Sequence, residues 1–341
     1  MKTAAALLAA LVIISVPVPA QAADGDVTWT VRTASNDFGA TRSSYSYDVS
    51  PGTTTSDAMV VANKGKETVK LSVYGADGYT TGAGQLDLLT GDQQSTGIGA
   101  WLRATTTEVT VAPGKVVEVP FSIAVPDNAT PGDHVGGIVT SLTAADQSSN
   151  VNVERRLGIR VKLRVAGELA PALAIEDLDV GYEGVANPFG AGAATVSYTI
   201  HNTGNAVQTA DQAVAISGPF GWLRTEATGI TAPPELLPGE SWQVTVPIKD
   251  VSPAVLLAGT VTLTPLLTDA SGSTTSLEPV SATARVWALP WTLTVLLLVL
   301  VGLLIAGVAL TRRRRTQRKQ REDERVREAV EAALREKDTA N

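Results

Sequence analysis

The sequence predicts an all-β fold of two immunoglobulin-like β-sandwich domains in tandem, followed by a single transmembrane helix and a short cytoplasmic helix. Between Val27 and Val286, apolar and polar residues alternate in short runs rich in Val, Thr and Ser, which is typical of half-buried antiparallel strands. Gly, Pro, Asn and Asp separate these runs about every ten residues, as in β-sandwiches. A long uncharged segment then follows, and a basic tail ends the chain.

The N-terminus has the features of a secretory signal. Lys2 precedes an apolar run from Ala4 to Val16, two prolines interrupt the run, and Ala20-Gln21-Ala22 offers a small-x-small cleavage site. We therefore expect residues 1–22 to be a signal peptide that is removed after Ala22. An uncleaved membrane anchor is the alternative, although the run is short for a span.

The strand-rich body divides into two expected domains. The first is predicted over residues 24–166 and ends with the strand Leu157–Val165, in which cations alternate with apolar residues. The second is predicted over residues 169–286, with the junction near Ala166–Pro171.

The two halves repeat the same order of turn signals. An Asn-x-Gly turn comes first, a Pro-Gly turn follows, and a strand led by glycine comes next. The corresponding segments are Asn63–Gly65 and Asn202–Gly204, Val111–Gly114 and Leu236–Gly239, and the strands that begin at Gly136 and Gly259. The repetition indicates that both halves have the same fold.

Residues 289–310 are predicted to form the transmembrane helix. These 22 residues carry no charge, and as a helix they would be about 33 Å long, enough to cross a hydrocarbon core. The anchor is flanked by Trp287 and Trp291 on one side and by four arginines, Arg312, Arg313, Arg314 and Arg315, on the other. Aromatic-belt and positive-inside preferences then place the C-terminus in the cytoplasm. A buried core helix is the alternative, but the segment is apolar on every face.

Residues 311–341 form the basic cytoplasmic tail of this interpretation. Its arginines can also attract anionic lipid head groups. Apolar residues at helical spacing and acid-before-base pairs predict a short helix from about Glu322 to Glu336. This helix would be either a solvated extension of the membrane helix or a weak partner-binding face.

The charge distribution agrees with this orientation in the membrane. The whole chain has 27 basic and 34 acidic residues; residues 311–341 hold 11 basic and 7 acidic ones, while residues 24–310 hold 15 and 27. An acidic body argues against a nucleic-acid partner. The chain has no cysteine, which excludes a disulfide scaffold and Cys-based zinc sites.

Catalytic and cofactor motifs are missing from the sequence. There are two histidines, His134 and His201, and neither a Gly-x-Ser-x-Gly elbow nor a His-Glu-x-x-His motif occurs. We therefore expect no enzyme activity, no catalytic residue, no cofactor and no metal. A weaker alternative is calcium at the acidic cluster of Asp177, Asp179 and Glu183.

Aromatic side chains are the candidate ligand-binding residues, because flat rings on a sandwich can stack on sugars. Tyr45 and Tyr47 share one face of a strand by period 2. Together with Trp101 and His134 they form the predicted ligand-binding set of the first domain.

Several segments of the first half carry a family resemblance. They are similar to the WxL-interacting proteins of Gram-positive bacteria, and the sharpest match is the last of the segments Tyr45–Gly52, Val60–Asn63, Val109–Gly114 and Val125–Ile138. The resemblance implies a cell-surface protein with an N-terminal domain described as peptidoglycan-binding and a second domain described as host-binding. It also implies peptidoglycan and secreted wall-associated proteins as partners.

Two functional hypotheses follow. The first is a non-enzymatic, single-pass cell-surface protein that binds peptidoglycan and presents a protein-binding domain outside the cell membrane. The alternative is a scaffolding or assembly subunit of a membrane complex that binds only protein partners.

Overall fold

The computed structural model of the protein describes residues 28–145, 152–187, 190–268, 273–289 and 291–339. The predicted signal peptide lies outside the described residues. The chain forms two compact units. Unit 1 extends to Asp77 and also includes Leu88–Ala129 and Val135–Leu163, whereas unit 2 includes Gly78–Asp87, Thr130–His134 and everything from Arg164 onward.

The first ten strands lie wholly or partly in unit 1. They are β1 (Trp29–Thr33), β2 (Tyr45–Val49), β3 (Thr54–Asn63), β4 (Val69–Thr80), β5 (Leu86–Leu88), β6 (Leu102–Ala104), β7 (Glu108–Val111), β8 (Val116–Ala124), β9 (Gly132–Ala145) and β10 (Asn152–Val165). One sheet has the order β1-β3-β8-β6, and the other has the order β2-β10-β9-β4-β5, with β7 also paired to β4. A short helix α1 (Ile98–Trp101) precedes β6.

The two sheets of unit 1 pack on each other. The indole Nε1 of Trp29 in β1 donates to Thr140 Oγ1 in β9 over 2.9 Å, and both side chains are buried. The ring of Tyr45 in β2 packs edge-on against Phe121 in β8, with centroids 5.0 Å apart. Because each contact joins one sheet to the other, unit 1 is a β-sandwich.

The remaining strands belong to unit 2. They are β11 (Leu173–Glu183), β12 (Gly192–Asn202), β13 (Gln208–Ser217), β14 (Thr225–Glu226), β15 (Ser241–Val251), β16 (Val255–Thr268), β17 (Thr274–Ser276) and β18 (Val280–Ala288). One sheet has the order β11-β12-β15, and the other has the order β14-β13-β16-β17, with β18 also paired to β16. This division of consecutive strands between two sheets is that of the immunoglobulin fold.

The core of unit 2 lies between its sheets. Val196 and Ile200 in β12 and Val246 in β15 meet Ile216 in β13 and Val261 in β16 in one buried cluster. Burying each such side chain contributes about 1.5–3 kcal/mol. Alternation of buried and half-buried residues along β16 matches the period-2 pattern that predicted these strands.

A single helix, α2 (Trp291–Thr339), ends the chain. The prediction of a mostly β chain with a C-terminal apolar helix is confirmed. The helix predicted from about Glu322 to Glu336 is part of α2, which runs without interruption for 49 residues, so it extends the apolar helix as one of the two interpretations expected. Between Thr311 and Glu322 the sequence has neither proline nor glycine, so nothing breaks the helix there.

Candidate functional site

One end of unit 2 leads directly into α2, and we call it the helix-side end. Strand β18 finishes there at Ala288, which pairs with Val255 at the start of β16. Strand β13 finishes at the same end, since Ser217 pairs with Ala258. In the other sheet, the loop between β11 and β12 and the end of β15 also lie there, because Gly192 pairs with Val251 and the chain passes directly from Val251 to the start of β16 at Val255.

Exposed apolar side chains are concentrated at the helix-side end. In the described part of unit 2 that precedes α2, eight large hydrophobic residues are exposed, and seven of them belong to this end. We call these seven the apolar collar: Val185, Phe220, Trp222, Leu223, Val255, Trp287 and Leu289. Clusters of this kind on a soluble surface mark interaction sites, whereas single exposed hydrophobic residues are ordinary.

The loop from Gly218 to Arg224 presents the most exposed members of the collar. Phe220 is 93% exposed and Trp222 is 71% exposed, and their ring centroids lie 6.1 Å apart. The Gly218 amide donates to the Trp222 carbonyl over 2.7 Å, which closes the loop. The loop therefore holds two aromatic rings away from the sandwich core.

The backbone of the collar is strained. Phe220 has φ 60° and Leu223 has φ 55°, and the β-branched residue Val255 has φ 61°. A left-handed conformation costs a non-glycine residue about 1–2 kcal/mol, and for a β-branched residue it is an outlier. Glycine or asparagine would adopt this backbone conformation with less strain, so the apolar side chains at these positions lower the stability of the fold.

A cavity of ≈ 310 Å³ adjoins the collar. It lies between the segment that follows β11 and the start of α2. Its lining includes Tyr182, Val185, Asn187, Trp287 and Trp291. The two predicted anchor-flanking tryptophans therefore share one concave surface, and both are largely exposed.

Helix α2 provides the second part of the site. It is long and apolar enough to cross a membrane, and its apolar segment is entirely unburied. The arginines Arg312, Arg313, Arg314 and Arg315 follow on the same helix and are exposed. In water this surface would be unfavourable, whereas in a bilayer it matches the hydrocarbon.

The predicted sugar-stacking tyrosines lie elsewhere than expected. Tyr45 and Tyr47 are buried in unit 1, and the Tyr45 hydroxyl donates to the Ala58 carbonyl over 2.8 Å. Burial raises the pKa of both phenols. Because no ring face is open, these side chains do not form a surface platform for a sugar.

An unexpected polar cluster surrounds Asp57 in unit 1. Its buried carboxylate accepts hydrogen bonds from Arg42 (2.7 Å), Asn36 (2.6 Å), the Ala58 amide (2.7 Å) and the Tyr47 hydroxyl. Desolvation would raise the Asp57 pKa, but the bonds from Arg42 and Tyr47 outweigh it and lower the pKa. In the sequence, the only sign of this polar cluster is an aspartate at the start of an apolar strand segment.

The other predicted residues occupy separate places. Trp101 is half-buried at the end of α1. His134 Nε2 lies 2.9 Å from the Thr130 carbonyl, and His201 Nδ1 lies 2.9 Å from Glu176 Oε1. Across the ranges that the structure describes, no group of three His, Asp or Glu side chains could hold a metal ion, and this covers the acidic cluster that was the calcium alternative.

Comparison with known proteins gives structural neighbours only. No family model matches the chain, and no curated protein sequence matches it. Similar solved structures include a chaperone–tip adhesin complex of CFA/I fimbriae (11% identity, TM-score 0.37), the class 5 fimbriae chaperone CfaA (12%, 0.36) and the E. coli chaperone DraB (10%, 0.30). Each likeness covers 75% of this chain and 98% of the other. At scores this low the likeness carries no conclusion about function.

The predicted membership of the WxL-interacting family is wrong. No family model and no curated sequence supports it, and the similar structures reported above are of fimbrial chaperones. The matching segments are mainly strands and turns that many sandwiches need. Peptidoglycan and wall-associated proteins were expected as partners only through that resemblance, so they lose their support with it.

Proposed function

We propose that the protein is a non-enzymatic, single-pass membrane protein whose outward-facing sandwiches bind protein partners, as a scaffolding or assembly subunit of a membrane complex. The observation that carries the proposal is a sheet edge to which no other strand of the described residues pairs, in a chain with an apolar helix long enough to cross a membrane. Strand β15 is the last strand of its sheet. Sheet edges of this kind accept an extended segment of another protein as an added strand.

The orientation follows from the two ends of the membrane segment. Trp287 and Trp291 stand before it and four arginines stand after it. Tryptophan favours the interface and basic residues favour the cytoplasmic side. Both sandwiches then lie outside the cytoplasm, and the basic part of α2 lies inside.

The free side of β15 can be assigned residue by residue. Pro247 has no amide hydrogen, so it fits a strand only where its nitrogen points away from the neighbouring strand. Backbone groups two residues apart point the same way, and the pairing of β15 with β12 is regular from Ser241 to Ile248. Gln243 and Thr245 therefore direct their amide groups to the free edge.

Part of the free edge carries little protection against pairing. From Ser241 to Val246 the strand has no charge, whereas Pro247 and two charged residues follow it. Because proline and charges often block natural edges, the open part of the edge is the segment before Pro247. Gln243 and Thr245 are exposed in that segment, and their uncharged polar side chains suit a strand that is added reversibly.

The polar side chains support a non-catalytic role. Asp57 is engaged by four donors within unit 1. His201 lies beside Glu176 on the surface, and His134 contacts the backbone of Thr130. These groups hold local structure, and neither histidine contacts a serine or threonine hydroxyl in these bonds.

Site-specific photocrosslinking of the full chain in its membrane tests the proposal. A benzophenone amino acid at Gln243 should capture a protein, whereas the same group at Thr260, on a sheet face of unit 2, should not. Thr245→Pro removes an outward amide and should abolish capture, while Thr245→Val keeps the amide and should preserve it. Equal capture from both positions, or capture that survives Thr245→Pro, would contradict binding through this edge.

A further inference from the structure

We propose that the helix-side end of unit 2 is itself a lipid-binding surface, with Phe220 and Trp222 inserted where head groups meet acyl chains. This inference rests on the anchoring role of α2 in the proposed function. It adds a second membrane contact, made by the folded domain. The ligand is the lipid surface of the leaflet from which α2 emerges.

The short connection to α2 fixes the position of the collar. Strand β18 ends at Ala288 and α2 begins at Trp291. Three residues of extended chain span at most about 11 Å, while the head-group layer on one side of a bilayer is roughly 5–8 Å deep. If α2 crosses the membrane, the end of unit 2 therefore lies within a few ångströms of the interface.

The loop that carries Phe220 reaches the same end through the sheet. Gly218 directly follows β13, and a Cβ atom at Gly218 would lie 2.9 Å from the Ala254 Cβ. Ala254 precedes Val255, whose partner in the ladder is Ala288. The exposed rings of the loop and the entrance to α2 therefore belong to one continuous surface.

The composition of this surface matches a lipid interface. Tryptophan and phenylalanine are the side chains that favour the boundary between water and hydrocarbon. In the described part of unit 2 before α2, the exposed large hydrophobic residues other than Tyr79 all lie here. A collar drawn from several loops around the start of an apolar helix fits the lipid surface that the helix would enter.

The absence of cysteine from the sequence allows an experiment with single labels. The full chain is reconstituted in vesicles of phosphatidylcholine and phosphatidylglycerol, with a fluorescent nitrobenzoxadiazole group on Arg224→Cys, Ser276→Cys or Val299→Cys. Arg224 lies next to the collar, Ser276 is exposed in β17 away from it, and Val299 lies within the apolar part of α2. Spin-labelled lipids then report depth by quenching.

We expect head-group spin labels to quench the Arg224 probe and acyl-chain spin labels to quench the Val299 probe, while the Ser276 probe keeps its emission. Phe220→Asn with Trp222→Ser should remove the quenching at Arg224 and leave that at Val299 unchanged. Asparagine tolerates the left-handed backbone at Phe220, so the variant should unfold at the unchanged temperature or above. Val116→Asn, which removes an exposed apolar side chain of unit 1, should have no effect on the Arg224 probe.

The outcomes separate this inference from the anchoring role. An Arg224 probe that is as unquenched as the Ser276 probe, beside a quenched Val299 probe, would overturn the lipid-binding surface and leave the anchor standing. A blue-shifted Arg224 probe without quenching would mean a protein contact and would also overturn it. An unquenched Val299 probe would refute the membrane span, and this inference with it.

Discussion

Each unit stabilises a turn with one buried asparagine that hydrogen-bonds both to the turn and to a distant segment, and we call this arrangement the asparagine bracket. In unit 1, Asn63 Oδ1 accepts from the Gly65 amide over 2.8 Å, and Asn63 Nδ2 donates to the Val111 carbonyl over 2.8 Å. In unit 2, Asn202 Oδ1 accepts from Gly204 over 3.1 Å, and Asn202 Nδ2 donates to Leu236 over 2.9 Å. Each asparagine is buried and joins the Asn-x-Gly turn to the segment before the Pro-Gly turn.

The units also share a glycine at the same place in the sandwich. A Cβ atom at Gly136 would lie 2.4 Å from the Ala76 carbonyl oxygen, and one at Gly259 would lie 2.6 Å from Val180 Cγ2. Neither site has room for a side chain. The repeated elements are therefore the ones that the sandwich requires.

The units differ in where they expose apolar groups. Each unit buries an ion pair, Asp57 with Arg42 in unit 1 and Asp133 with Arg164 in unit 2, and in both pairs the carboxylate side chain is fully buried. Among the described residues that precede α2, unit 2 clusters its exposed large hydrophobic residues in the collar at one end, whereas unit 1 has only Phe38 and Val116. The difference teaches that what the units share maintains the fold, while the collar, which only unit 2 has, points to the membrane.

The largest effect is expected for Asp57→Asn. Removing the carboxylate leaves the largely buried Arg42 without its counter-ion, which costs about 3–5 kcal/mol. Calorimetry of the full chain in detergent should show the transition of unit 1 at lower temperature and that of unit 2 unchanged. Asp48→Asn, at an exposed position of β2, is the matched control and should change neither transition; a loss shared equally by both units would show that the pair is not local to unit 1.

The asparagine bracket should matter equally in the two units. Asn63→Ala and Asn202→Ala each leave buried backbone groups without a partner, which costs about 1–3 kcal/mol per variant. Each change should lower the transition of its own unit in the same calorimetric scan. If only one variant lowers stability, the bracket is not a shared support of the fold.

Acid should weaken unit 1 through Asp57. The pKa of Asp57 is lowered in the folded protein, because hydrogen bonds from Arg42 and Tyr47 outweigh desolvation. Its contribution is therefore complete above the ordinary aspartate pKa of about 3.9 and is lost as the pH falls through the lower, folded value. The free energy of unfolding of unit 1 should be measured from about pH 6 to about pH 2, which covers the range in which carboxylates titrate. It should depend less on pH in Asp57→Asn than in the unchanged protein. Equal pH dependence in the two proteins would contradict the assignment.

The smallest effect is expected at the collar. Phe220→Asn replaces a 93% exposed ring and relieves a left-handed backbone, so the unfolding free energy should rise by at most about 1 kcal/mol. Denaturant unfolding of unit 2 measures the change. A clear destabilisation would mean that the Phe220 ring supports the fold and that its exposure has no separate purpose.

Much of the fold could be predicted from the sequence because its signals are local. Period-2 alternation and the Asn-x-Gly and Pro-Gly turns act within a few residues. The uncharged segment that became α2 is equally local. Periodicity showed that Tyr45 and Tyr47 share a face, but it could not show that this face is the inner one, because that depends on the sheet packed against it.

The candidate site was largely hidden from the sequence. The collar is assembled from separate loops, and Phe220 and Val255 meet at one end only through strand pairing. The left-handed backbone at Phe220 also could not be predicted from the sequence. Such conformations are usually marked by glycine, asparagine or aspartate, and this position is a phenylalanine. Of the residues around the collar and its cavity, only Trp287 and Trp291 were predicted, since they adjoin the apolar segment, which was itself predicted together with the four arginines that follow it.

The most direct test of the central claim measures on which side of the membrane each part of the chain lies. Single-cysteine variants Ser276→Cys in unit 2 and Gln317→Cys after the arginines are treated with a membrane-impermeant maleimide on intact cells. We expect Ser276→Cys to be labelled at once and Gln317→Cys to be labelled only after the membrane is permeabilised. Labelling of both in intact cells, or of Gln317→Cys alone, would contradict a single span with the sandwiches outside.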